Sequence, residues 1–347
     1  MAPEIRRSLV LHSRLRRDPH ALLRGMLDRV PPGTRPDAPV AELEQRIADL
    51  LGKPAALFFP SGTMAQQTAL RVHADRTGRR VFAAHPHTHL AQWEEQGHQA
   101  VHHLLHRPVG DHHELITRDD LARVTEPLAA LLLELPQRDI GGLLPEWDDL
   151  VAQTSWARER GAATHMDGAR LWESQPYYDR PLAEIAALFD TVYVSLYKGL
   201  EGVRGAVLAG DRETIDLAAL WRTRLGGALR DAWPLAVAGL IGLDEVLPRM
   251  GEFLAHARAI AAAVNADGYA RTRPAVPQTS IFHVLLPVPR QVASAASLRL
   301  FRETGIELPV HARATGDPDR SALELSVGVA ALEFTPEEVA ALLRRLR

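Results

Sequence analysis

Lysine is almost absent from this 347-residue chain: its forty Lys and Arg residues include only Lys53 and Lys198. Guanidinium stays protonated in proteins, whereas a lysine amine whose pKa falls on desolvation can attack a carbonyl. Lys198 follows the apolar run "TVYVSLY" (191–197) and precedes a glycine, a setting suited to such an amine. Lys53, in "LLGKPAA", sits at a helix stop. Two further stretches carry chemistry. In "HMDGAR", Asp167 closes the apolar run 162–166, where a carboxylate can hold a heterocyclic nitrogen protonated. In "PSGT" (60–63), Ser61, Gly62 and Thr63 precede a helical pattern, and small residues there leave backbone N–H groups open to a phosphate.

Taken singly, each stretch has an ordinary explanation. "PSGT" is a loop with a helix cap, Asp-Gly is a turn, and a lone lysine is solvated surface. Together they run in chain order, with 104 residues from Thr63 to Asp167 and 31 from Asp167 to Lys198. A phosphate cradle, a buried carboxylate and a strand-end lysine are what pyridoxal phosphate (PLP) requires. The cradle takes the phosphate, Asp167 keeps the pyridine nitrogen protonated, and Lys198 forms the Schiff base.

These residues need a scaffold that lines up strand ends. Short apolar runs at 55–59, 80–84, 129–135, 162–166, 191–197 and 205–210 alternate with helical patterns at 64–75, 146–160 and 182–189. That alternation predicts a doubly wound, mainly parallel sheet, whose ligands sit beyond the carboxyl ends of the strands. The segments found there are "PSGT", "HPHTHLAQWE", "PQRDIGG", "DGAR" and Lys198. From 214 to 268 the chain reads as mostly helix. Then come "IFHVLLPV", "ELPVHARA" and "ALELSVGV", closed by the helix "TPEEVAALLRRLR". The expected fold class is α/β: a large domain with a mainly parallel sheet of the seven-stranded type sandwiched by helices, plus a smaller α+β domain. The divisions are an N-terminal segment over 1–40, either an extended arm or a short helix followed by loop, a large cofactor-binding domain over 41–245 and a small C-terminal domain over 246–347.

The bulk composition narrows the function classes. A hydrophobic content of 46%, a charged content of 24% and a net charge of -3 suit a soluble protein and argue against nucleic-acid or membrane-surface binding. There is no cysteine, hence no disulfide framework and no thiol chemistry. The N-terminus lacks a signal-peptide core, and the longest apolar stretch, "PLAVAGLIGL" (234–243), is half a bilayer span. A cytoplasmic enzyme is expected.

Over roughly residues 40–245 the sequence resembles the threonine aldolase / β-eliminating lyase family, PLP enzymes of the aspartate aminotransferase fold (fold type I). Five segments carry the resemblance in order: "LFFPSGTMAQQTAL", "HLAQWEEQG", "HMDGARLWES", "VSLYKGLEGVRGAVLAG" and "RLGGALRDAW". It implies a phosphate loop at Ser61, Gly62 and Thr63. It makes His89 the residue stacking on the cofactor ring, followed by Glu94. It makes Asp167 the ring-nitrogen partner with Arg170 nearby, and Lys198 the covalent anchor. Arg230 would approach the phosphate, within the chain or across a subunit boundary. The implied assembly is a homodimer or homotetramer.

The substrate half departs from the family pattern. The N-terminal Arg-Ser-Asp-Thr run has no counterpart in "SLVLHSRLRRDPH". Gln137, in "ELPQ", replaces a histidine near the substrate. Glu324 stands where a carboxylate-binding arginine is expected, and Tyr197 and Glu201 replace small residues around the lysine. The expected reaction is threonine-aldolase-like cleavage of a β-hydroxy-α-amino acid to glycine and an aldehyde. Lys198, His89 and Asp167 are then catalytic, and Arg170 and Gln137 bind substrate. His89 is either the base for the β-hydroxyl or a stacking group only. Alternatives are β-elimination, with Lys198 taking the Cα proton, and a PLP-binding protein without turnover. Nine of the sixteen histidines lie between His85 and His113. Their spacing matches no standard ligand pattern, so no metal is expected, and packing, solvation or a pH-sensitive interface accounts for them.

Overall fold

A computed structural model describes residues 4–11 and 18–347. Residues 12–17, within the N-terminal segment 1–40, lie outside the described residues, as do residues 1–3. The strands in chain order are β1 (Arg7–Ser8), β2 (Ala55–Phe59), β3 (Val81–Ala84), β4 (Leu105–Pro108), β5 (Ala130–Glu134), β6 (Ala163–Gly168), β7 (Thr191–Ser195), β8 (Ala206–Gly210), β9 (Arg271–Arg273), β10 (Ile281–Leu286), β11 (Ile306–Glu307), β12 (Arg313–Ala314) and β13 (Ser321–Ser326).

Seven of them form one sheet in the order β2-β8-β7-β6-β5-β3-β4. Strands β7, β6, β5, β3 and β4 run parallel, and β8 is antiparallel to both neighbours. Every residue of β5 and β7 is buried. This explains why both read as unbroken apolar runs: a central parallel strand is covered on both faces. The expected mainly parallel, seven-stranded sheet is therefore present.

The smaller sheet is antiparallel, in the order β12-β13-β10-β9. β1 pairs in parallel with β11, tying Arg7 and Ser8 to Ile306 and Glu307. Of the run "ELPVHARA", only Glu307, which ends β11, and β12 are strand. Among the elements that the sequence pattern does not show are β4 and the helix Arg290–Thr304. β4 is a short edge strand without apolar alternation, and its Leu105 is exposed. Within 1–40 the structure has the short helix that was one of the two expectations there, Pro19–Arg29, which buries only Met26. The helix Arg290–Thr304 buries Ala293, Ala296, Ser297 and Leu300. That is helical spacing, but small side chains carry most of it.

The helix Gly62–Thr77 explains how one end of the site is built. Ser61 has an extended backbone, and its Oγ accepts from the Met64 N–H at 3.3 Å, while Gly78 closes the helix at φ 69°. The helix packs against β7 and β8, so ten of its sixteen residues are buried, including Gln66, Gln67 and His73. At the end of β7, Leu196 is fully buried. Burying such a side chain contributes about 2 kcal/mol, which fixes the chain two residues before Lys198.

Candidate active site

Four parallel strands end on the same side of the large sheet. The segments after β3, β5, β6 and β7 deliver His87 and His89, Arg138, Arg170, and Lys198 to one cleft of about 1460 Å³. The small sheet supplies the facing wall with His283, Glu324 and Ser326, and Leu9 to Leu11 line the cleft as well. A cleft beyond the carboxyl ends of parallel strands is where an open α/β sheet binds ligands.

Lys198 sits in a tight turn after β7. Its carbonyl accepts from the Glu201 N–H at 3.0 Å, and the Leu196 carbonyl accepts from the Gly202 N–H at 3.0 Å. Gly199 is required here, because a Cβ would lie 2.4 Å from the carboxyl carbon of Glu173. Burial pulls the Lys198 pKa below its ordinary value. The Asp167 carboxylate opposes this, and the guanidiniums of Arg170 and Arg138 add to it. An amine in that state is more often neutral and nucleophilic. Burial lowers Lys53 too, but Lys53 Nζ donates to the Phe189 carbonyl at 2.5 Å, outside the cleft lining.

Asp167 is the fifth residue of β6, one position further into the strand than the sequence suggested. It is 4% exposed and lies in register with Glu134 on one side and Tyr193 on the other. Its Oδ1 accepts from the Ala169 N–H at 3.0 Å. Burial pushes its carboxyl pKa up, against the charges of Lys198 and His89. A buried carboxyl in that position gains most from a cationic partner.

His89 begins the short helix His89–Trp93. Its backbone N–H donates to Glu134 Oε1 at 2.5 Å, and its ring Nδ1 lies 3.0 Å from Glu94 Oε1. Gln67 Nε2 donates to Glu94 Oε2 at 2.8 Å, and the Glu94 side chain is fully buried. A carboxylate bonded this way is an acceptor, so the network assigns the ring proton to Nδ1. In the neutral ring, Nε2 then carries the lone pair.

Arg170 caps the helix Leu171–Tyr178 and is 7% exposed. Its Nη1 donates to Glu173 Oε1 at 3.1 Å. Its Nε and Glu173 Oε2 are buried without partners among the described residues. Burial raises the Glu173 pKa, and Arg170 opposes that shift. Gln137 is buried, and its amide donates to Glu134 Oε2 at 3.1 Å and to the His87 carbonyl at 3.2 Å. The next residue, Arg138, is the one that lines the cleft.

Ser61, Gly62 and Thr63 form the first turn of Gly62–Thr77, beside β7. A Cβ at Gly62 would lie 2.0 Å from the Tyr193 hydroxyl. The first amides of a helix have no partner inside it, so those of Gly62 and Thr63 are open donors in a field that favours anions. The loop 225–231 lies over the same helix end, since a Cβ at Gly227 would meet Met64 Sδ at 2.3 Å. Arg230, on that loop, is exposed and is not among the residues described as lining the cleft.

The sequence reading did not find a charged cluster on the opposite wall. Glu324 accepts from Arg138 Nε at 2.8 Å and Nη2 at 3.0 Å, with Arg313 Nη2 at 3.5 Å and His283 Nε2 at 3.9 Å. Arg313 Nη2 also donates to Asp139 Oδ1 at 2.6 Å, whose Oδ2 accepts from Trp93 Nε1 at 2.9 Å. Burial would raise the Glu324 pKa, but Arg138, Arg170 and Arg313 hold it down to about 2. The signal was present in "PQRDIGG", a charged pair following a buried strand. No group of three or more His, Cys, Asp or Glu able to hold a metal is found among the described residues. In the histidine-rich stretch, His87 Nε2 and His112 Nδ1 share one hydrogen bond of 3.0 Å. No helix among the described residues is long and apolar enough to cross a membrane.

Comparison with known proteins gives consistent matches. The sequence model of the family described as beta-eliminating lyase matches residues 34–286. Low-specificity L-threonine aldolase 1 of Arabidopsis thaliana is 28% identical over 284 residues, covering 78% of this chain and 78% of its own. A solved structure from Listeria monocytogenes EGD-E, named "putative L-allo-threonine aldolase", is 34% identical with a TM-score of 0.91, covering 99% of this chain and 96% of that one. A structure of SPT with PLP has a TM-score of 0.70 over 94% of this chain and 82% of its own; at 17% identity it shows the shared fold alone.

Proposed function

The chain belongs to the β-eliminating lyase family, and from that premise we propose that it is a PLP-dependent carbon–carbon lyase. It cleaves a β-hydroxy-α-amino acid, in the manner of a threonine aldolase, to glycine and an aldehyde. One observation carries the reading. The desolvated amine of Lys198 and the half-spent guanidinium of Arg170 line one cleft, and the buried carboxyl of Asp167, on the neighbouring strand, acts on that amine.

The residues present fit the cofactor. Asp167 is a buried acid that a protonated ring nitrogen would keep ionised. The open amides of Gly62 and Thr63, behind the Ser61 cap, suit a phosphate. Lys198 is the amine that would hold the cofactor through its aldehyde. When bound, PLP supplies an electron sink for the charge left at Cα.

The chain's own groups do the rest. Arg170 receives the substrate carboxylate on the edge it does not spend on Glu173, and so sets which bond at Cα breaks. His89, held through Nδ1 by Glu94, would lie beside the ring. Its Nε2 lone pair takes the β-hydroxyl proton directly or through a water. Gln137, braced on Glu134, keeps that carboxyl turned toward the His89 N–H. Arg230 stands exposed beside the phosphate end, and it serves the site of a neighbouring copy in a homodimer or homotetramer. A cytoplasmic setting is the natural one for such an enzyme.

The test is turnover. The purified chain, supplied with PLP, is offered L-threonine, L-allo-threonine and L-phenylserine, and glycine and aldehyde are measured. Stoichiometric release of both supports the proposal. Cofactor absorbance with no release from any of the three would leave a binding protein. Pyruvate or another keto acid from L-serine, in place of glycine and aldehyde, would make it a β-eliminating enzyme.

A further inference from the structure

The turn that carries Lys198 ends on a residue in an uncommon conformation. Glu201 has φ +56°, a region that suits glycine and that residues with a side chain rarely adopt. Glycine would fit there without penalty, so the side chain is what the position keeps. That side chain reaches away from the large sheet. Glu201 Oε1 accepts the Val329 N–H at 3.1 Å, at the start of the 3₁₀ turn Val329–Glu333. Gly328 makes room for it, because a Cβ there would lie 2.8 Å from that oxygen and 3.0 Å from the side chain of Leu11.

The two ends of this contact matter for the cleft. On one side, the Glu201 N–H holds the Lys198 carbonyl at 3.0 Å. On the other, Gly328 and Val329 are separated by Val327 alone from β13, whose Glu324 and Ser326 line the cleft. Leu9 to Leu11 border both the cleft and the small void around Glu201 and Gly328. Glu201 therefore joins the lysine turn to the facing wall: its backbone N–H donates to the Lys198 carbonyl and its carboxylate accepts from the Val329 N–H.

We infer that Glu201 is a positioning residue, a strut that sets Lys198 at a fixed distance from the wall holding Glu324 and Ser326. The inference rests on the proposed role of Lys198. A strut of this kind acts through geometry, and displacing a reacting group by an ångström costs up to about 100-fold in rate.

The experiment compares Glu201→Gly, Glu201→Gln, Gly328→Ala and the Glu201→Gly/Gly328→Ala double variant in the PLP-loaded protein. Readouts are kcat and KM with L-allo-threonine, thermal midpoint, and hydrogen exchange of segments 196–202 and 326–331 without substrate. Glu201→Gly is expected to keep or raise the midpoint, since it relieves the positive φ. It should lower kcat about 10-fold with a smaller change in KM, and both segments should exchange faster. Glu201→Gln keeps an acceptor oxygen in place and should restore kcat to within about 2-fold. Gly328→Ala should reproduce the Glu201→Gly phenotype, and the double variant should be no worse than either single one. Wild-type kcat and exchange in Glu201→Gly, or additive losses in the double variant, would overturn the inference. If the wild-type protein releases no glycine, the functional reading fails; the exchange data still report whether the two segments are coupled.

Discussion

Arg138 lays its guanidinium fork along the carboxylate of Glu324, with Nε to Oε2 at 2.8 Å and Nη2 to Oε1 at 3.0 Å. Glu324 stands where the family resemblance leads one to expect an arginine. The structure places an arginine beside it from another element, with a second, Arg313, at 3.5 Å. The facing wall of the cleft therefore keeps cationic groups although this position carries the opposite charge. The fork is bidentate and mostly shielded, which is the geometry in which an ion pair contributes measurably.

The first prediction concerns that pair. Arg138→Ala leaves Glu324 largely buried with one strong partner gone, and should cost about 2 kcal/mol of stability by urea unfolding, discounted for the partial exposure of Arg138. Glu324 has a folded pKa of about 2 against an ordinary value of 4.5. A lowered carboxylate pKa stabilises the fold above the unfolded value, and that contribution is lost as pH falls through the folded one. The stability gap between wild type and Glu324→Gln should thus be full above pH 4.5 and shrink toward pH 2.

The second concerns the tautomer of His89. Glu94→Gln replaces the acceptor that holds the Nδ1 proton. The expected result is a kcat lower by about 10- to 100-fold with little change in the PLP dissociation constant. An unchanged kcat would reduce His89 to a stacking group.

The third tests the packing behind the lysine. Gly199→Ala puts a methyl group 2.4 Å from the Glu173 carboxyl carbon, and that carboxyl is buried against Arg170. Overpacking of this kind costs about 1–3 kcal/mol. The thermal midpoint should drop, and activity should fall more than foldedness measured by circular dichroism.

The fourth concerns carboxylate recognition. Arg170→Lys cannot reproduce a planar fork. The KM for L-allo-threonine should rise by about 10-fold or more, with the absorbance of the bound cofactor retained. Equal losses in PLP binding and turnover would assign Arg170 to the cofactor instead.

The sheet and the Lys198 end of the cleft were legible because the information is local. β5 and β7 read as unbroken apolar runs, since both faces of each strand are covered. Asp167 and Lys198 were visible as charges set against such runs. The strand-end rule then collected His89, Arg170 and Lys198 without any knowledge of distances. The facing wall was not legible. Glu324 and Arg138 are 186 residues apart in sequence, and nothing in either segment signals the other. Edge strand β4 lacks an apolar pattern because half of it faces outward. The helix Arg290–Thr304 has the right spacing but buries alanine and serine where a pattern search seeks larger side chains. Glu201 read as an interruption of a small-residue pattern, and its contact with Val329 is visible only in three dimensions.

The most direct test of the central claim uses the scarcity of lysine. The PLP-loaded chain is reduced with borohydride, digested and analysed by mass spectrometry, so that a pyridoxyl label has only Lys53 and Lys198 to choose between. The account predicts label on Lys198 alone, and loss of both yellow colour and aldehyde release in Lys198→Ala. Label on Lys53, or a Lys198→Ala protein as yellow and as active as the wild type, would contradict it.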